Sequence, residues 1–226
     1  LTKNVVRTLV VVFVVGACAC TGSAPTNDTS PPTKNAPTTA TSLRIAERQN
    51  ASALQILTIA PPTHQDTYNR DADFGGWIDV SGCKNTRAEV LIRDSTAPVT
   101  YTSAKECTVK TGRWTDPWSN TPTTVASALQ IDHTVPLANA WTSGAWRWSH
   151  EQRLAYANDL TDTDHLVPIL DAENEAKGDD GPEAWRPPDR ASWCRYALDW
   201  DHIKAKWHLS ATQTEWNALK LMAATC

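Results

Sequence analysis

Leu129-Gln130-Ile131-Asp132-His133-Thr134-Val135-Pro136-Leu137 and, further on, Leu166-Val167-Pro168-Ile169-Leu170 with Ala172-Glu173-Asn174-Glu175-Ala176-Lys177-Gly178-Asp179 decide how this chain is read. Both apolar runs are short and rich in branched side chains, which suits strands. The first delivers Asp132 and His133, and the second leads into Asn174. Ala172 to Lys177 is expected to form one helix, with Asn174 near its start, Lys177 one turn on and Gly178 as the stop. Two strands and a helix thus bring a few polar side chains to one place.

The chemistry follows from the residue types. Asp132 offers a carboxylate and Asn174 an amide oxygen, hard donors suited to one divalent metal ion. Mg²⁺ comes first, since it keeps several waters and needs few protein ligands; Mn²⁺ and Ca²⁺ suit the same donors. His133 would take a proton from an attacking water, because imidazole titrates near neutral pH. A metal beside it would polarise a phosphoryl oxygen and stabilise a leaving alkoxide, so the pattern points to phosphodiester hydrolysis.

Ile131-Asp132-His133-Thr134-Val135-Pro136-Leu137, Asn158-Asp159-Leu160, Leu166-Val167-Pro168 and Asn174-Glu175-Ala176-Lys177-Gly178-Asp179 together resemble the HNH endonucleases, whose ββα-metal finger is a hairpin packed on one helix. The likeness is greatest to a branch of secreted bacterial HNH proteins related to the C-terminal nuclease domain of GmrSD-type restriction enzymes. It runs from about Leu43 to Cys226. The resemblance implies an α+β fold, with the finger at about residues 128–180 embedded in a mainly helical domain that carries a small antiparallel hairpin. It further implies Asp132 as first metal ligand, His133 as general base, Asn174 as second ligand and Asn158 as the middle asparagine that ties the finger's loop together. Arg87 and Arg93, about two turns apart, would lie beside the site and face one groove. Arg87 is the candidate phosphate clamp, because guanidinium matches phosphate bidentately. A solvated helix face explains both arginines equally. Lys177 would contact the scissile phosphate or its neighbour, or stand as an exposed helix-end lysine. The family often has Arg and Ser after the helical Asn, where this chain has Glu175 and Ala176, and Arg after Gly-Asp, where it has Asp180.

The implied activity is metal-dependent cutting of nucleic acid, DNA ahead of RNA, with low sequence specificity and by a monomer. The alternative from another class is an exported binding or cell-surface lipoprotein that keeps the fold without catalysis. Charge favours that alternative. Removing residues 1–17 takes away Lys3 and Arg7 and no acid, so 19 Lys and Arg face 25 Asp and Glu, and the net charge moves from −4 to −6. An acidic surface repels nucleic acid at long range, which leaves local basic groups to bind it.

Residues 1–17 read as a secretory signal: Lys3 and Arg7, an apolar run from Leu9 to Val15, then Gly16-Ala17-Cys18. The apolar part is too short to span a membrane. Val15-Gly16-Ala17-Cys18 also resembles a bacterial lipobox, which would make Cys18 a lipidated residue and its lipid the one membrane contact. Cleavage near Cys20 or Gly22 is the other reading, and either places the protein outside the cell or on the outer face of its membrane. Residues 18–42, mostly Thr, Pro, Ser, Asn and Ala, read as a flexible tether to a domain over 43–226. Cys83, Cys107, Cys194 and Cys226 remain, and an even count in an exported chain suggests disulfides. Of three formal pairings, Cys83–Cys107 and Cys194–Cys226 are preferred, since each brackets a local segment.

With 41% hydrophobic residues and 11 tryptophans there is material for a packed core. A helix is expected from Leu43 to Leu57, stopped by Pro61-Pro62, and another from Asn85 or Thr86. Tyr68-Asn69-Arg70 and Phe74-Gly75-Gly76-Trp77 match the family's Tyr-x-Arg and Phe-Gly-x-Trp; Arg70 pairing with Asp71 or Asp73 is the plain alternative. Val99 to Thr102 and Cys107 to Val109 suit an antiparallel hairpin. Trp114 and Trp118 are either base-stacking or core, and core is the commoner use. Short helices are expected after Ala138 and over Glu151–Asn158, and closing helices over Ala191–Lys206 and Thr212–Ala224. His150-Glu151 opens an H-E-x-x-H that fails at Leu154. Asp162, Asp164 and His165 form a polar loop, solvated or metal-binding.

Overall fold

The computed structural model describes residues 54–226. The signal, Cys18, the tether and most of the first expected helix lie outside those residues. Within them, seven short strands make three antiparallel sheets: β1 (Asp79–Ser81) with β2 (Lys84–Asn85), β3 (Thr100–Tyr101) with β4 (Val109–Thr115) and β5 (Pro122–Val125), and β6 (Leu129–His133) with β7 (Leu166–Leu170). The helices are α1 (Arg70–Phe74), α2 (Thr86–Asp94), α3 (Leu137–Thr142), α4 (His150–Ala157), α5 (Asp171–Lys177), α6 (Trp193–Lys206) and α7 (Gln213–Ala223). The mixed α/β architecture with a small antiparallel sheet and two disulfides agrees with the expectation from sequence.

β6 and β7 pair in unbroken register, Leu129 opposite Leu170 and His133 opposite Leu166. α5 starts at the next residue and packs on both strands, so the unit has β-β-helix order with α3 and α4 inserted between its strands. Leu129 and Ile131 join a core shared with α2 and β4, and the whole of β6, Gln130 and Asp132 included, borders a cleft. A second, larger core holds Phe74, Trp118, Tyr156, Tyr196 and Trp200, all fully buried. Trp114 and Trp118 are therefore core residues, 0% exposed, and not a stacking surface for bases.

Local chemistry sets the boundaries. Asn85 caps α2 by accepting from Ala88 N at 3.1 Å, while the Thr86 hydroxyl is used elsewhere. Ser149 with Gln152 and Thr212 with Glu215 form capping boxes on α4 and α7. Gly178 ends α5 at φ 50°, a conformation that suits glycine. Gly112 lies where a Cβ would come within 2.5 Å of the Trp114 ring and 2.6 Å of Ser95 Oγ, so the β4 strand passes this point only with glycine.

Two expectations are corrected here. Leu54 to Leu57 is not helical: Gln55 N donates to Asp201 Oδ2 at 2.6 Å, and the chain runs extended past Ala211 while Leu54 and Leu57 stay buried. The hairpin around Cys107 gains a third strand, β5, whose Thr123, Thr124 and Val125 are good strand formers. Cys83 joins Cys107, fastening the β1–β2 turn to the β3–β4 loop, and Cys194 on α6 joins Cys226 beyond α7. Closing loops of 24 and 32 residues is worth about 3.5 kcal/mol each by loop-closure entropy.

Candidate active site

A cleft of about 510 Å³ opens where β6 ends and α5 begins, and Asp132, His133 and Asn174 all line it. Two rungs lace the helix to the strand. Asn174 Nδ2 donates to Gln130 Oε1 at 2.6 Å, and Lys177 Nζ donates to Asp132 Oδ1 at 2.7 Å and to the His133 carbonyl at 3.0 Å. Gln130 in turn donates to Asp171. Gln130 and Asp132 are two apart on a strand and Asn174 and Lys177 three apart on a helix, so each pair shares a face and the rungs align.

Lys177 is the main correction to the sequence reading. Its side chain is 0% exposed, so it is neither a solvated helix-end lysine nor a free contact for phosphate. It holds Asp132, whose side chain is 5% exposed. Burial pushes the Asp132 carboxyl above its ordinary range, and the Lys177 ammonium opposes that rise. The Trp118 indole lies on the same side of the balance. Asp132 Oδ2 nevertheless has no hydrogen-bond partner among the described residues.

His133 is held on three sides. Trp77 stacks on its ring at 5.4 Å and 14°, Tyr156 lies parallel at 6.4 Å, and His165 meets it edge-on at 5.9 Å. Nε2 lies 2.9 Å from the Ala157 carbonyl, which can only accept, so Nε2 carries the ring proton and Nδ1 keeps its lone pair. Burial drives the His133 pKa well below the usual imidazole value, helped by His165, Arg70 and Lys177 and opposed by the Ala157 carbonyl. The ring is thus held neutral at physiological pH with its Nδ1 lone pair available, while the same burial lowers its basicity.

The other expected residues divide. Arg87 lines the cleft, with Nη2 donating to the carbonyls of Ala126 at 3.0 Å and Leu129 at 2.9 Å. Arg93 does not share it: this arginine pairs with Asp94 at 2.7 Å and donates to the Leu166 carbonyl at 2.6 Å. Asn158 is a brace, accepting from Ile78 N and the Thr86 hydroxyl and donating to the Gly76 and Leu154 carbonyls. It fixes the 76–86 segment, and so Trp77 and α2, against α4. Arg70 makes no ion pair among the described residues and lines the cleft. In the polar loop His165 is fully buried against Tyr156, Asp164 pairs with Arg195, and Asp162 meets His202 and Lys206. Among the described residues no group of three or more His, Cys, Asp or Glu could hold a metal ion, so that loop is an ion-pair network.

Sequence reasoning missed the Trp77 stack, the Gln130–Asn174 rung and the burial of Lys177. The two i, i+2 and i, i+3 spacings could have suggested the rungs. Nothing local signals that Trp77 reaches His133.

The donors in the cleft fit a hard cation. Asp132 Oδ2 is a buried carboxylate oxygen without a partner, and Asn174 uses its Nδ2 on Gln130, which leaves its amide oxygen for a ligand.

The family model described as "GmrSD restriction endonucleases, C-terminal domain" matches residues 85–219 of this chain. A protein of Arthroderma benhamiae described as an uncharacterized secreted protein is 44% identical over 175 residues, which cover 77% of this chain and 83% of that protein. No solved structure matches the chain.

Proposed function

The chain belongs to the family of the C-terminal domain of GmrSD restriction endonucleases, and from that premise we propose that it is an exported, HNH-type endonuclease that hydrolyses nucleic-acid phosphodiester bonds with a divalent metal ion. One observation carries the reading: His133, a neutral imidazole with Nε2–H spent on a carbonyl and Nδ1 free, and Asp132, one of whose oxygens has no hydrogen-bond partner, line the same cleft. That is a proton acceptor in one cleft with hard oxygen donors for a cation.

In this mechanism His133 Nδ1 takes a proton from water, the water oxygen forms a bond to phosphorus, and the bond from phosphorus to the leaving sugar oxygen breaks. The leaving oxygen then takes a proton from solvent. Asp132 and Asn174 would hold Mg²⁺, which when bound supplies charge stabilisation for the phosphoryl and leaving oxygens. Arg87 and Arg70 meet the phosphate charge. Lys177 positions Asp132, and Asn158 positions the segment that stacks Trp77 on His133. The disulfides and the secreted relative support export, with Cys18 as the residue that would carry a lipid.

A second reading, an exported binding protein of the same fold without catalysis, draws on the net charge of −4 and on the Lys177 ammonium occupying one oxygen of Asp132. Plasmid nicking separates the two. With Mg²⁺ or Mn²⁺ the protein should nick supercoiled DNA, chelator should stop it, and His133→Ala should remove it while circular dichroism shows a folded chain. Equal nicking by parent and variant would reject His133 as the base; no nicking by the parent on DNA or RNA would favour the binding protein.

A further inference from the structure

The cleft communicates with two depressions of opposite character. One, of about 320 Å³, shares Arg87 and Ser127 with the cleft, and its remaining lining includes Leu91, Thr108, Val109, Lys110 and the Cys83–Cys107 disulfide. No carboxylate lines it. The other, of about 280 Å³, shares Asp179 with the cleft and adds Asp180, Glu183 and Glu215. In a chain of net charge −4, this wall is free of acids and carries Arg87 and Lys110, and it adjoins the cleft through the residue best placed to meet a phosphate.

Resting on the nuclease reading above, we propose that the substrate strand leaves the cleft over Arg87 and Ser127, and that the nucleotide flanking the scissile phosphate sits in the acid-free depression with its next phosphate at Lys110. The charges select this exit, since Asp179, Asp180 and Glu183 repel a polyanion on the one side, Glu215 being neutralised by Lys204, and the Arg87 side presents only cations and neutral groups. The site is also pre-shaped for it. Arg87 is fixed by the Ala126 and Leu129 carbonyls through one nitrogen, so the rest of its guanidinium is oriented before substrate arrives. Leu91 and Val109 give an apolar floor, and the hydroxyls of Thr102 and Thr108 stand at an exposed rim. The volume is at the lower end of small-ligand pockets, about 300–1,000 Å³. The Cys83–Cys107 bond, which joins two otherwise separate turns, holds that rim together.

Two substrates test the subsite separately from the chemistry: bis(p-nitrophenyl) phosphate, which has no flanking nucleotide, and a short fluorescein-labelled single strand read by anisotropy and by cleavage. Lys110→Glu should weaken binding of the strand by about tenfold at low salt and lower the log–log salt slope by about one. Thr108→Trp, which fills the depression, should weaken it as well. Both variants should hydrolyse the small diester at the parent's rate, and Asp180→Asn, which removes a repelling charge, should not weaken strand binding. Strand binding unaffected by Lys110→Glu and Thr108→Trp would overturn the proposal, as would an equal loss on both substrates or no strand binding by the parent. A parent that binds the strand through Lys110 yet cuts neither substrate would keep the groove and discard the nuclease reading.

Discussion

Among the described residues two lysines are completely buried, each against a carboxylate, and the pairs differ in one respect. Lys204 Nζ meets Glu215 at 2.5 Å, Ser143 Oγ at 2.9 Å and the Ser210 carbonyl at 2.8 Å. Glu215 accepts from Trp200 Nε1 with the same oxygen and from Thr212 N with the other. Every position is filled, and the pair locks α6 to α7 and closes a capping box at once. Lys177 meets Asp132 at 2.7 Å, but the second Asp132 oxygen is left without a partner in a residue that lines a cleft. A saturated pair can only hold structure. A pair with one oxygen unpartnered, in a residue that borders a cleft, can take a further ligand, and this separates a brace from a candidate site among groups of the same chemistry.

The largest expected effect breaks the saturated pair. Lys204→Met should lower stability by about 3–5 kcal/mol in urea titration, because Glu215 is left buried and uncompensated, while the folded fraction keeps its nicking rate. Mg²⁺ probes the unsaturated pair: at one hundred times its dissociation constant it should stabilise the parent by about 2.7 kcal/mol, a rise in Tm that Asp132→Asn and Asn174→Ala abolish and Lys204→Arg retains. Lys177→Met should cost less than Lys204→Met, about 1–3 kcal/mol, since burial already pushes the Asp132 carboxyl toward its neutral form and it can take up a proton once the ammonium is gone, and it should depress nicking where Lys204→Met does not. The smallest effect concerns Asp199, a third carboxylate, which meets Arg195 at 3.2 Å. Burial outweighs that partner and raises its pKa from 3.8 to about 7. The folded carboxyl holds its proton more tightly than the unfolded one, so its contribution is complete below pH 3.8 and is lost as pH rises through about 7. Tm should fall across that window, by the equivalent of about 1 kcal/mol after allowing for water around the half-exposed Arg195, and Asp199→Asn should flatten the curve.

Much of the frame was legible in the chain itself. β6, β7 and α5 follow from two apolar runs and a glycine stop, and α6 and α7 lie within a residue or two of the expected spans, apart from a short turn that fills Arg190–Ser192 before α6. The cysteine pairs follow from their bracketing of local segments. Leu54–Leu57 was misread because two buried leucines three apart suit one turn of helix and also an extended chain with both sides covered. Arg93 was misplaced because position on a helix gives its direction only if the neighbouring strand is known, and here the Leu166 carbonyl captures it.

The amino-acid order alone determined that two apolar strands and a short helix would carry Asp132, His133 and Asn174, since periodicity and stop signals are local properties. Tertiary structure decided their states: that Lys177 is buried on Asp132, that Trp77 fixes His133, and that the Ala157 carbonyl accepts a hydrogen bond from Nε2–H. Burial and partner choice depend on segments distant along the chain, and the free energy of a charge or a proton depends on what surrounds it in space.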